Sequence, residues 1–347
     1  MADWEIVWRI EDPDRYTACA ESLAPLDQDA NPLGGVFGRR MFESCLPPYS
    51  VLDASFALCH RGRPAALVEA LLDPFDRLTR NGEPLRLVLQ PTLGAQTGPA
   101  IERLLECLVG AVAGLPKHPD FLEIEDSSIG DFMTPLGLAV LKRGGHPMLA
   151  PWPVLDLTQP EDALWRALRP STQRNIKWGE RHLALSLFTR EETDPAVFAA
   201  AVAVLAAEGP PLPPATAACY RECFETGRGE AILIRHDGRA VGSLFAIDEG
   251  EMCLYAVGRY DTAPPRPGGG RPAIAHWPLW TAIRRAQARG QRRFELYRIF
   301  FRGQERPGYR FGNAHFKLGF TTALRQRIVW RIPVEGTALG RNRREEA

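Results

Sequence analysis

Lysine is scarce in this sequence, since only four of its 42 basic residues are Lys and the rest are Arg. It also has no apolar run near the roughly 18–20 residues that a membrane span needs, and no basic-then-apolar start typical of a secretory signal. Seven scattered cysteines without a CxxC pair predict reduced thiols in a cytoplasmic protein. Cys219 and Cys223 are one helical turn apart, but no second ligand pair lies nearby, so no metal is expected.

The net charge of zero conceals two halves of opposite charge. Residues 1–165 hold 13 basic and 24 acidic residues, and residues 166–347 hold 29 and 18, so the formal charges are −11 and +11. An anionic ligand would therefore favour the second half or a cleft between the halves. Two solvated surfaces that attract each other explain the same charge distribution.

The length of 347 residues is long for one hydrophobic core and predicts two domains. Both halves alternate predicted strands and helices, which indicates a mixed α/β fold. In the second half, residues 230–261 predict three strands joined by Asp-Gly and Glu-Gly turns. A Pro/Gly-rich loop, a helix to about Gly290 and another strand, RRFELYRIF, follow. Pro278 is expected either to kink that helix or to begin it.

Lys317 lies between two aromatic residues in the stretch AHFKLGF. Its ammonium is a compact point charge, unlike the Arg fork, and it suits a carbonyl oxygen on which negative charge builds. The ammonium of such a lysine is not expected to hold a core together. Alternatively, Phe316 and Phe320 are core residues at i, i+4 and Lys317 is a solvated neighbour.

Lys177 lies in a second dense stretch, RPSTQRNIKWGER. Arg174, Lys177 and Arg181 recur at steps of three and four, so they share one helix face that can grip phosphates or carboxylates. Trp178 lies beside them and could stack on a base or sugar. An ordinary basic surface explains the same pattern.

Three segments together resemble the FemABX and BioF2-like branch of the GNAT N-acetyltransferase superfamily: STQRNIKWGERHLAL, RPAIAHWPLWTAIRRAQARGQRRFEL and HFKLGF. They cover about 155–335. The resemblance implies two tandem GNAT-like domains, each a central, mostly antiparallel sheet flanked by helices. The expected boundaries are 1–155 for an acidic N-terminal domain, 156–335 for a basic acyltransferase domain and 336–347 for a disordered tail.

The resemblance also implies an activity, the transfer of an acyl group from acyl-CoA, with acetyl-CoA preferred, to a primary amine of a small molecule, sugar or peptide. A FemABX-type transferase that uses aminoacyl-tRNA and acts on a cell-wall precursor is the alternative. A non-catalytic binding module on the same fold belongs to a different class and also stays open.

Individual residues receive roles on this basis. The resemblance implies that Phe316 and Lys317 stabilise a tetrahedral intermediate. Glu295 is the candidate general base, Tyr255 and Tyr297 are hydroxyl candidates, and His315 and His276 are candidate proton carriers. Tyr297 and His315 are also candidate substrate-binding residues. The branch usually has Phe-Asp-Leu-Gly where this chain has FELY, so Tyr297 replaces a glycine.

A glycine-rich loop is the candidate donor-binding segment. The stretch PGGGRPA offers backbone N–H groups just before a helix, where a pyrophosphate is favoured. The residues concerned are Gly268, Gly269, Gly270 and Arg271. A flexible loop without a binding role explains the same sequence.

Overall fold

A computed structural model describes residues 3–23, 52–72, 78–79, 84–113, 119–126, 134–207, 212–260, 273–299 and 311–334. The chain divides into two compact units, residues 1–150 with 327–347, and residues 151–326. The sequence had placed residues up to 335 in the second domain. The last strand joins the first unit because Ile328–Pro333 pairs antiparallel with Phe121–Asp126. The tail expected at 336–347 lies outside the described residues.

The first unit combines a mixed main sheet, a small second sheet and helices. Its elements are Trp4–Trp8 (β1), Pro13–Leu23 (α1), Leu52–Asp53 (β2), Phe56–His60 (β3), Arg63–Val68 (β4), Leu71–Leu72 (β5), Leu78–Thr79 (β6), Leu85–Leu89 (β7), a 3-10 helix Pro91–Gln96, Thr97–Ala113 (α2), Phe121–Asp126 (β8), Pro135–Lys142 (α3) and, from the end of the chain, Leu324–Pro333 (β15). The main sheet has the order β1-β3-β4-β7-β8-β15 and the small sheet the order β2-β5-β6. Helices α2 and α3 pack on the main sheet around Trp330, and α1 packs on its other face.

The second unit is built on a single sheet with helices on both faces. Its elements are His146–Asp156 (β9), Glu161–Ala167 (α4), Pro170–His182 (α5), Ala184–Phe188 (β10), Pro195–Ala206 (α6), Pro214–Glu225 (α7), Gly229–His236 (β11), Arg239–Glu249 (β12), Met252–Tyr260 (β13), His276–Ala288 (α8), Arg293–Glu295 (β14) and Phe311–Lys317 (α9). The strand order is β9-β14-β13-β12-β11-β10. The chain enters this unit within β9 and leaves it within β15.

Two hydrophobic layers cover the sheet of the second unit. On one face, α5 and α8 pack over alternate strand residues such as Leu244 and Ala246. On the other face, Phe245 meets Phe198 and Phe224. The period-two alternation along β12 therefore divides its side chains between the two layers.

Each unit contains one parallel strand pair in an otherwise antiparallel sheet. β7 pairs parallel with β8 and β13 with β14, and a helix, α2 or α8, lies between the two strands in the chain. A parallel pair requires such a crossover connection. The mixed α/β class with two tandem, mostly antiparallel sheets flanked by helices is confirmed. Pro278 lies in the first turn of α8, so the helix begins near it.

Candidate functional site

The parallel strands β13 and β14 separate early, and this opening is the candidate site. They pair only through Met252–Arg293, Cys253–Phe294 and Leu254–Glu295, whereas β13 continues to Tyr260. An irregularity in the β12–β13 register next to Tyr255 accompanies the separation. Ligands of open α/β sheets bind outside the carboxyl ends of parallel strands, and β14 ends here while β13 continues with no strand of the described residues paired to it on this side.

Two tyrosines of β13 meet in this region. The hydroxyl oxygens of Tyr255 and Tyr260 lie 3.3 Å apart, and a Cβ on Gly258 would clash with both hydroxyls. Burial raises the pKa of Tyr255 to about 12. Tyr255 therefore keeps its proton at neutral pH and can donate it. Sequence reasoning missed Tyr260, although its place near the end of a predicted strand was a usable signal.

Glu295 ends β14 and is fully buried. Its Oε1 accepts a hydrogen bond from Nη1 of Arg325 at 3.2 Å, and the exposed fraction of its side chain is 0%. An acceptor amine would reach this carboxylate only if the opening extends to that depth. Its role as general base stays a prediction.

Lys317 closes the end of β14 from the side of α9. Its Nζ donates to the carbonyl oxygens of Arg298 at 3.0 Å and Tyr297 at 3.4 Å, and the residue is only 5% exposed. The interpretation of Lys317 as a solvated neighbour is therefore wrong. The ammonium, which was not expected to hold a core together, fastens α9 to the segment after β14 through these two hydrogen bonds.

Tyr297 has an unusual backbone for a residue with a side chain. Its φ is 67°, a left-handed conformation that costs roughly 1–2 kcal/mol for a non-glycine residue. Its ring centroid lies 5.0 Å from that of Trp152 and 5.6 Å from Nζ of Lys317. The glycine of the resembled motif would adopt this backbone without strain, so the local backbone path is compatible with that motif.

His276, at the start of α8, is held neutral among aromatic rings. Its ring centroid lies 5.0 Å from that of Phe316 and 5.9 Å from that of Phe320. Burial lowers its pKa from 6.5 to about 4. The side-chain nitrogen of Asn175 lies 3.3 Å from its Nε2. At neutral pH His276 lacks the second proton that a general acid needs, and its role as a proton carrier stays a prediction.

His315 and Arg169 connect α9 with the start of α5. Nη1 of Arg169 lies 2.9 Å from Nε2 of His315, and the backbone N–H of Arg169 donates to the carbonyl of Gly319 at 3.0 Å. A Cβ on Gly319 would lie 2.4 Å from Oγ1 of Thr172. The two segments therefore approach each other as closely as glycine allows. Sequence reasoning missed Arg169, and the substrate-binding role of His315 stays a prediction.

The predicted basic face of α5 exists as an exposed surface. Arg174, Lys177 and Arg181 are all exposed, and Nζ of Lys177 lies 5.8 Å from the ring centroid of Trp165. Trp178 instead packs on the core of this unit and stacks on His182 at 4.8 Å and 11°. One face of the Trp178 ring is thus already covered, and stacking on a ligand stays a prediction.

The remaining expectations concern the glycine loop, a metal site and a membrane-spanning helix. The glycine loop, Gly268 to Gly270 with Arg271, lies outside the described residues. Within the part of the chain that the structure describes, no group of three His, Cys, Asp or Glu side chains could hold a metal ion. The helices among the described residues include none long and apolar enough to cross a membrane.

A family model described as an acetyltransferase (GNAT) domain matches residues 166–318. A search of curated protein sequences finds no match. Among solved structures, FemX matches with a TM-score of 0.54 at 9% identity and covers 94% of this chain and 97% of its own.

Two other solved structures share the fold at similar levels. The C-terminal DUF2156 domain from Agrobacterium fabrum, assigned to a putative lysylphosphatidylglycerol synthetase, has a TM-score of 0.56 at 13% identity and covers 97% of this chain and 96% of its own. L-PGS from Bacillus licheniformis has a TM-score of 0.52 at 11% identity and covers 95% and 94%. Residues 166–318 therefore match a GNAT domain model, and the chain shares its fold with FemX and these two structures.

Proposed function

We propose that the protein is an N-acyltransferase that moves an acyl group from acyl-CoA, with acetyl-CoA preferred, to a primary amine of a small molecule, sugar or peptide. The observation that carries the proposal is the early separation of β13 and β14 inside the matched GNAT domain. Beyond Leu254, no strand of the described residues pairs with this edge of β13. The backbone N–H and C=O groups along this edge of β13 can form hydrogen bonds with the amide groups of an extended CoA arm.

In the proposed reaction the amine nitrogen attacks the thioester carbonyl carbon, the new C–N bond forms and the C–S bond breaks. Negative charge builds on the carbonyl oxygen, where Lys317 supplies a compact cation that the carbonyls of Tyr297 and Arg298 orient. The departing thiolate takes a proton, for which the Tyr255 hydroxyl is the candidate donor. The proton that the amine loses passes to Glu295 or to water.

The acceptor is proposed only as a primary amine, because the described residues select no further class. The basic face of α5, residues Arg174, Lys177 and Arg181, is the candidate contact for an anionic part of either substrate.

A FemABX-type activity with an aminoacyl-tRNA donor is the second candidate. The exposed basic face of α5 favours it, since a helix that presents three cations suits a phosphate backbone. The likeness to FemX bears on the fold alone. A non-catalytic module would bind a donor without turnover.

Donor titration and turnover separate these three candidates. Thermal-shift titrations with acetyl-CoA and with charged tRNA should show stabilisation by one donor that grows with its concentration. Release of free CoA thiol is then measured with a panel of primary amines. Amine-dependent release supports the proposal, and stabilisation by charged tRNA alone supports the second candidate. Binding without turnover indicates a silent module.

A further inference from the structure

Tyr297 is one of three described non-glycine residues with a left-handed backbone, and the other two have an evident local cause. Arg61 and Asp237 occupy tight hairpin turns and are each followed by a left-handed glycine, Gly62 or Gly238. Such two-residue turns require positive φ at both central positions. Tyr297 follows a strand end with no hairpin turn, so the turn geometry that accounts for the other two does not account for it.

The contacts of Tyr297 converge on one group. Nζ of Lys317 donates hydrogen bonds to the carbonyl oxygens of Tyr297 and Arg298 and lies 5.6 Å from the ring centroid of Tyr297. The ring also packs on Trp152, with centroids 5.0 Å apart at an interplanar angle of 44°, which restricts the movement of the ring. A strained backbone persists where the surroundings over-determine it, and such positions concentrate at functional sites.

We propose that Tyr297 is a positioning residue whose ring, clamped by Trp152, holds the Lys317 ammonium at the opening between β13 and β14. This role belongs to the ring and not to the hydroxyl, and glycine could supply the backbone path alone. The catalytic meaning of the inference rests on the proposed function, but the position of the ammonium can be measured without any activity.

The chain offers a substitution that separates ring from backbone. Tyr297→Gly keeps the left-handed conformation available and removes only the ring, whereas Tyr297→Phe keeps the ring and removes the hydroxyl. Asp237→Gly is the matched control, since it relieves the same kind of backbone strain at a hairpin turn without a ring or a lysine contact.

The primary readout is the reactivity of Lys317 toward trace acetic anhydride, quantified by mass spectrometry on the folded full-length chain. The exposed Lys142 and Lys177 are internal references. The labelling ratio of Lys317 to Lys142 should rise about thirtyfold in Tyr297→Gly, the factor that a desolvated cation–π contact represents. It should stay unchanged in Tyr297→Phe and Asp237→Gly.

An unchanged ratio in Tyr297→Gly would overturn the proposal, as would an equal rise in Tyr297→Phe. If the glycine variant does not fold, Tyr297→Asn replaces it, since Asn also tolerates left-handed backbone.

Turnover adds a second readout. With an active donor and amine, Tyr297→Gly should lower kcat at nearly constant KM, and Tyr297→Phe should recover kcat. A KM effect alone would contradict positioning. If the wild type turns over no donor, the proposed function fails, while the labelling ratio still decides the role of Tyr297.

Discussion

At the scale of single residues, Lys317 shows how a buried charge is accommodated. An ammonium that leaves water loses its hydration and must recover hydrogen bonds from the protein. Two backbone carbonyls accept hydrogen bonds from it here, and the ring of Tyr297 adds a cation–π contact. The same contacts aim a cation at the end of β14, so Lys317 has both a structural and a proposed chemical role.

Lys317→Ala should therefore affect stability and activity separately. Loss of hydrogen bonds from a charged donor should lower the free energy of unfolding by about 2–3 kcal/mol, measured by urea denaturation. In addition, kcat per folded molecule should fall by roughly 10²–10³, the effect of removing one oxyanion donor. Lys142→Ala, which removes an exposed lysine, should change neither. Full activity in Lys317→Arg would contradict the point-charge argument.

His276 predicts a pH dependence of stability. Its pKa is about 4 in the folded protein and 6.5 when unperturbed, so between these values the unfolded chain binds a proton that the folded chain does not. The free energy of unfolding should fall as pH drops from 6.5 to 4, by up to roughly 1.4 kcal/mol per pH unit.

His276→Gln should flatten the stability curve in that window, whereas His146→Gln, at an exposed histidine, should leave it as in the wild type. Denaturation midpoints at several pH values measure this. An unchanged slope in His276→Gln would assign the dependence to other groups.

The sequence predicted some of these residue-level features and not others. The scarcity of lysine singled out Lys317, because a residue type that a chain seldom uses is informative where it occurs. Its burial was not predictable, since the spacing of Phe316 and Phe320 defines a helix face but not what lies opposite. Likewise no local signal marks Tyr297 as left-handed, because tyrosine has no preference for that conformation.

At the scale of elements, the contact of α5 with α8 depends on Gly179. A Cβ at this position would lie 2.6 Å from Cβ of Trp277, an atom tied to its own backbone. Gly179→Ala should lower the free energy of unfolding by about 1–3 kcal/mol, despite the better helix propensity of alanine.

Gly110→Ala is the matched control for this change. Gly110 lies in α2, and a Cβ added there would meet nothing within 4 Å, so alanine should stabilise by roughly 0.5–1 kcal/mol. Equal effects in the two variants, measured by urea denaturation, would contradict the close packing at Gly179.

The basic face of α5 predicts a binding effect. If it holds an anionic part of a substrate, Arg174→Ala should raise KM more than it lowers kcat, because that contact exists in the ground state as well. The difference from wild type should shrink in high salt. Arg221→Ala, at an exposed arginine of α7, is the control. An unchanged KM for both substrates would make this face an ordinary surface.

The sequence predicted the presence of helices and strands better than the residues at which they end. The Asp-Gly and Glu-Gly turns predicted the β11–β12–β13 meander because such turns restrict the chain to hairpins. The stretch RRFELYRIF predicted a longer strand than Arg293–Glu295. The strand stops because β13 diverges and Tyr297 turns left-handed, and neither event has a local sequence signal.

At the scale of the whole molecule, each unit repeats one plan, a parallel pair bridged by a helix in an antiparallel sheet. Alternating strand and helix patterns predicted the mixed α/β fold but not the parallel pair. The opposite charges of the two halves favour an anion at the second half or between the halves, which stays a prediction. The assignment of β15 to the first unit was not predictable, since sheet partners distant in sequence leave no trace in local patterns.

The central proposal is that acyl transfer takes place where β13 and β14 separate, beside Lys317. A crystal structure with a non-hydrolysable acyl-CoA analogue tests this most directly. The account predicts the analogue's arm along the edge of β13 beyond Leu254, with its carbonyl oxygen within hydrogen-bond reach of Lys317 or the backbone beside it. An ordered analogue bound away from this opening, or saturating analogue that leaves the opening empty, would contradict it.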